Sequence, residues 1–151
     1  MHMTAKLALL PLFVSACVSA PPAEPPRDAP MFVQYRTEDP DKIRLKAPYR
    51  GVLTQRGLCL GLTVDGRFTT IIWPETARVT YDAGGLLLRD VVSKAKLRLG
   101  DTLAGTGGPL PAGAQQPLGG STLSTDMPIE CARYPGYPGW IGFVSPGFRK
   151  G

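Results

Sequence analysis

The sequence predicts an all-β fold, either a small barrel or a strongly curved antiparallel sheet of about six to eight short strands with one long Gly/Pro-rich loop. Composition is the first reason: Gly 18 and Pro 16 are high for 151 residues, and charged residues reach only 19%, which disfavours long helices. Strict two-residue alternation in several short segments is the second. The third is a set of tight-turn dipeptides between those segments, Asp65-Gly66 above all.

Taken in order, "KIRLKA" at residues 42–47 places Ile43, Leu45 and Ala47 on one face and Lys42, Arg44 and Lys46 on the other, a half-buried strand with a basic outer face. "YRGVLTQ" leads to a turn at Arg56-Gly57, and "CLGLTV" at 59–64 puts Leu60, Leu62 and Val64 on one face. Asp65-Gly66 then reverses the chain into "RFTTIIW" at 67–73, which Pro74 ends. "ARVTYD" at 77–82 and "GLLLRD" at 85–90 flank a turn at Ala83-Gly84. "AKLRLG" at 95–100 alternates again, with Leu97 and Leu99 opposed to Lys96 and Arg98. A short helix from Asp90 to Lys96 is disfavoured by the β-branched Val91 and Val92, so strand, turn, strand is the reading. Residues 107–139 lack periodicity and are rich in Gly and Pro, which predicts a long surface loop. "WIGFV" at 140–144 returns to a strand pattern and must pair with a strand far away in sequence. Closure into a barrel or curved sheet supplies that partner and removes open edges.

The N-terminus has the form of a targeting segment. Lys6 precedes the apolar residues 7–16, too few to span a bilayer as a helix, and Met3 is an alternative start. Val14-Ser15-Ala16-Cys17 resembles the lipobox of bacterial lipoproteins. The resemblance implies diacylglyceryl modification of Cys17, cleavage before it, and acylation of the new amine. The competing reading is ordinary secretion with a cut after Val18-Ser19-Ala20, which leaves Pro21 first, a poor fit to a signal peptidase. Val18, rather than Asp, after the cysteine implies outer-membrane sorting. Residues 1–16 are thus expected to be a signal peptide, 17–30 a lipidated cysteine and Pro-rich tether, and 31–151 the β domain. As polyproline II, the tether reaches on the order of 40 Å from a lipid surface.

With Cys17 assigned to lipid, the oxidising compartment holds Cys59 and Cys131. The expectation is a disulfide between them, and the alternative is two separate buried thiols. A second resemblance points the same way. Leu58-Cys59-Leu60, Ile72-Trp73-Pro74, Gly85-Leu86-Leu87-Leu88, Gly100-Asp101, a Gly105–Gly108 turn, Cys131 and Trp140 are similar to a group of uncharacterised exported bacterial proteins. That similarity implies a small OB-like β-barrel whose cysteine pair joins an early strand to a late loop. It implies no activity.

An inventory of side chains bears on chemistry. His2 is the sole histidine and lies in the segment expected to be removed, so neither an imidazole-assisted nucleophile nor a His-ligated zinc site can be built. Asp65, Glu75, Asp82, Asp90, Asp101, Asp126 and Glu130 remain, mostly beside Gly or at strand ends, where carboxylates serve turns. No enzyme activity, cofactor or metal is expected. The Gly-rich run 105–120 lacks the Lys-Ser/Thr ending of a phosphate loop and reads as a flexible loop. Lys42, Arg44, Lys46, Lys94, Lys96 and Arg98 form a basic or merely solvated surface. Export argues against nucleic acid, and anionic envelope polymers or phospholipid headgroups fit it better. Tyr134, Tyr137 and Trp140 are the candidate ligand-binding residues because aromatic faces stack on sugar rings, with loop packing over a barrel end as the alternative. The expected role is a lipid-anchored, non-catalytic envelope protein, a structural or interaction module with a membrane and an envelope protein or polymer as partners. The alternative is a glycan-binding or small-ligand-binding module of the periplasm or cell surface.

Overall fold

Tight turns set the registers of the sheets. Strand β2 (Pro48–Arg56) meets β3 (Cys59–Val64) with Arg56 opposite Cys59, so the reversal falls on Gly57-Leu58, one residue beyond the expected Arg56-Gly57. Gly57 takes a φ of 55° there, a conformation that glycine adopts without cost from a side chain. At the next turn Asp65 and Gly66 have φ values of 48° and 75°, the doubly positive pattern that matches strand twist. It joins β3 to β4 (Arg67–Pro74) with Val64 opposite Arg67. Strands β5 (Ala77–Asp82) and β6 (Gly85–Asp90) pair from Ala77↔Asp90 to Asp82↔Gly85, as their spacing predicts.

The computed structural model describes residues 23–36, 47–111, 122–123, 127–132 and 140–151. Its other elements are β1 (Gln34–Arg36), β7 (Lys96–Arg98), β8 (Thr102–Pro111), β9 (Thr122–Leu123), the short helix α1 (Ile129–Ala132), β10 (Trp140–Val144) and β11 (Arg149–Lys150). The described residues are all-β apart from α1. An eight-stranded sheet has the path β10-β8-β2-β3-β4-β1-β9 with β11 beside β8, and a second sheet has the order β5-β6-β7. An added pairing of β10 with β4 makes a ring of β2, β3, β4, β10 and β8. Only Gly142↔Ile71 and Phe143↔Ile72 make that closure, so the result is a strongly curved, incompletely closed sheet.

The sheet is mixed rather than purely antiparallel, because β1 and β10 both run parallel to β4. Neither is joined to β4 by a hairpin, so no turn dictates their direction. Lying between neighbours on both sides and covered on both faces, β4 is buried from Phe68 to Pro74. Ile71 and Trp73 enter the main core with Leu53, Leu60, Leu62, Leu103, Val144 and Phe148. Ile72 faces the other way, into a cluster with Val33, Tyr35, Ile141 and Phe143. Leu86, Leu88 and Leu97 carry the small sheet into the main core, so the two sheets share one interior.

Several expectations need correction. Residues 107–111 are not loop but the second half of β8, paired with β10 from Trp140↔Pro111 to Val144↔Gly107. The expected Gly105–Gly108 turn is therefore extended strand, and Gly107 serves the close approach of two backbones rather than reversal. A β-carbon on Gly107 would lie 2.2 Å from the Phe143 carbonyl oxygen. The loop reading also missed β9 and α1. Leu99 is 44% exposed while Leu97 is fully buried, since β7 stops at Arg98 and Gly100 turns at a φ of 90°. Of the alternating segment 42–47 only Ala47 is described, and it is an exposed bend residue. Residues 23–28 are exposed, Pro30 is buried, and the Met31 amide donates to the Leu58 carbonyl at 2.8 Å, which ties the arm to the β2–β3 turn.

Candidate functional site

Cys59 and Cys131 form a disulfide with a Cα–Cα distance of 5.3 Å across a sequence separation of 72. Both half-cystines are buried with Phe68, against which Met127 packs. The Thr70 hydroxyl donates to the Cys131 carbonyl at 2.8 Å and fixes α1 from the β4 side. Cys17, Tyr134 and Tyr137 lie outside the described residues, as do Lys42, Arg44 and Lys46. Trp140 is the first residue of β10, opposite Pro111.

Asp82, Asp90 and Asp101 accept backbone hydrogen bonds that hold turns and strands together. Asp90, 1% exposed, accepts from the Thr76 hydroxyl at 2.9 Å, the Ser93 amide at 3.0 Å and the Gly147 amide at 2.9 Å, and so joins the β6–β7 connection to the turn before β11. Glu75 pairs with Arg36 at 3.2 Å. Arg98 donates to both oxygens of Asp82, at 2.9 and 2.7 Å, so its charge is engaged and it drops out of the expected basic surface. Lys94 and Lys96 are exposed. No set of three or more His, Cys, Asp or Glu suited to a metal occurs among the described residues, and none of their helices is long and apolar enough to cross a membrane.

Two of these acids carry a pH dependence. The Arg98 side chain, aided by the Gly84 amide, holds the Asp82 carboxyl below the usual carboxylate range, and the Lys150 ammonium, aided by the Arg98 amide, does the same for Asp101. A carboxyl whose folded value is depressed stabilises the fold above its ordinary value, here 3.8, and that contribution is lost as pH falls through the lowered folded value. The urea midpoint is expected to fall with acidification below about pH 4, and Asp82→Asn to make that fall shallower. An acid slope unchanged in Asp82→Asn would remove Asp82 from this account.

Among the described residues, a groove of about 520 Å³ lies over β2, β8 and the turn before β11. Cross-strand register builds it. Arg50 lies opposite Ala104, and Ala104 opposite Arg149, so these three residues form one row on one face. Two strand spacings put the arginine backbones about 10 Å apart, with the methyl of Ala104 as a low floor between them. Thr106, opposite Pro48, extends the same face. Arg50 and Arg149 are exposed, and neither takes part in an ion pair among the described residues. The next residue, Lys150, is by contrast paired with Asp101 at 2.7 Å. Pro146 and Gly147 form a wall of the groove, and the Gly147 amide is anchored on Asp90.

The sequence reading missed both arginines. Arg50 sits on a nine-residue strand and Arg149 on a two-residue one, and only the pairing of β2 and β11 on either side of β8 brings them together. Comparison of the chain with protein-family models, with curated proteins and with solved structures finds no match.

Proposed function

We propose that this is a lipid-anchored, non-catalytic protein of the cell envelope whose β domain serves as an interaction module. The observation that carries the reading is the buried Cys59–Cys131 disulfide, because such links persist in oxidising compartments and are rare in the cytosol. It agrees with an N-terminus that resembles a lipoprotein signal ending at Cys17. A non-catalytic role is supported by Asp82, Asp90 and Asp101, each engaged in holding turns or strands together. Outer-membrane sorting rests on Val18 after the lipobox cysteine.

The test is the intact mass of the full-length chain, expressed in a Gram-negative host and extracted from membranes. Loss of residues 1–16, added acyl mass on Cys17, and alkylation of Cys59 and Cys131 only after reduction are the expected results. An unlipidated chain starting near Pro21 overturns the anchor and leaves a secreted binding module.

A further inference from the structure

We infer that the Arg50–Ala104–Arg149 row is a binding site for a phosphate monoester. Its setting in the envelope rests on the function proposed above, whereas its chemistry rests on the groove alone. Arginine presents a planar fork of donors that matches phosphate and carboxylate oxygens. One guanidinium neutralises a carboxylate. Two on one row, both without an acidic partner among the described residues, match the roughly two negative charges of a phosphate monoester. Both side chains are long enough to lean over Ala104, with Gly151 beside it: a β-carbon there would lie 3.2 Å from the Ala104 methyl and 3.6 Å from Arg50 Nε. Thr106, on the same face and lining the groove, offers its hydroxyl as a neutral donor.

The walls are set before any ligand arrives. The Gly147 amide is bonded to the buried Asp90 carboxylate, and the Ser93 hydroxyl donates to the Phe148 carbonyl just beyond. Fixed walls reduce the ordering cost of binding. At about 520 Å³, the groove falls within the usual ligand range of roughly 300–1,000 Å³ and holds more than a bare phosphate. The esterified group therefore has room to lie against Pro48 and Pro146. The chain's net charge of +5 favours the approach of such an anion.

The experiment uses the full-length protein in micelles of an uncharged detergent and follows its thermal midpoint. Inorganic phosphate is titrated against chloride at constant ionic strength. The midpoint is expected to rise with phosphate and not with chloride. In the double variant Arg50→Gln/Arg149→Gln the apparent phosphate affinity is expected to fall by at least about tenfold. Ala104→Glu, which sets a carboxylate between the two arginines, is expected to abolish the response by a different route. Equal shifts with chloride, or an undiminished phosphate response in the double variant, would overturn the inference. Two further probes carry the same ester, soluble glycerol 3-phosphate and phosphatidic acid mixed into the micelles. A larger shift with the lipid identifies a membrane headgroup as the source, and a larger shift with the soluble ester identifies a diffusible or polymer-borne phosphate. The outcome is separable from acylation: phosphate binding by an unlipidated chain keeps the groove and removes the anchor, and a lipidated chain indifferent to phosphate does the reverse.

Discussion

Replacing both Cys59 and Cys131 by alanine is expected to lower the free energy of unfolding by about 4 kcal/mol and the thermal midpoint by roughly 10 °C. A link across a separation of 72 residues restricts the unfolded chain strongly, since the entropy of loop closure grows with loop length. The folded state loses something as well. Helix α1 has only four residues, too short to form without tertiary support, and it is held by the disulfide, the Thr70 hydroxyl and its own Pro128–Cys131 turn bond. Alanine suits the test better than serine, because both positions are nearly inaccessible and sit with Phe68, where a new hydroxyl would need a partner. Parallel urea melts of the native chain with and without reductant give a second reading without mutation. If the oxidised and reduced chains unfold within about 1 kcal/mol of each other, the link contributes little and the chain-entropy account fails.

The expected disulfide was legible because it follows from cysteine number and from the export that the N-terminus implies, and geometry had only to agree. Strand positions were equally legible wherever a tight turn bounded them. Residues 59–64, 77–82 and 85–90 form strands at the predicted limits, since turn chemistry decides them, and 140–144 does so on its apolar pattern alone. What the sequence hid is nonlocal. The direction of β10 beside β4 depends on a chain path through residues that carry no periodic signal. The pairing of Arg50 and Arg149 across Ala104 exists only once β2 and β11 flank β8. Leu99 misled because two-residue alternation was carried past the end of a three-residue strand. Glycine and proline misled most. In residues 105–111 they were read as turn and loop residues, yet they belong to the longest described strand, Thr102–Pro111. Proline is tolerated at strand ends and edges, and glycine also marks places where two backbones come unusually close.

That last distinction can be decided by the sign of one substitution. Glycine within a strand ordinarily costs about 0.5–1 kcal/mol relative to alanine, so if Gly107 were merely a permissive residue, Gly107→Ala would stabilise the protein. The structure predicts a loss of about 3 kcal/mol, the upper part of the usual range for overpacking. Gly107 is buried, its φ is not positive, and it lies directly opposite Val144 on β10. The added methyl would lie 2.2 Å from the Phe143 carbonyl oxygen and 3.2 Å from the Val144 Cα. Both are backbone atoms, so no rotamer change relieves the contact. β10 must move away from β8 instead. Phe143 and Val144, 1% and 0% exposed, would shift with it and loosen two apolar clusters together, along with the short β10–β4 pairing that closes the ring. The neighbouring Thr106→Ala, on an exposed residue, is expected to change stability by no more than about 0.5 kcal/mol and controls for a simple β-propensity effect. Urea denaturation of both variants settles the sign. A Gly107→Ala protein as stable as the parent, or more so, would mean that β8 and β10 are not in the close register that closes the curved sheet.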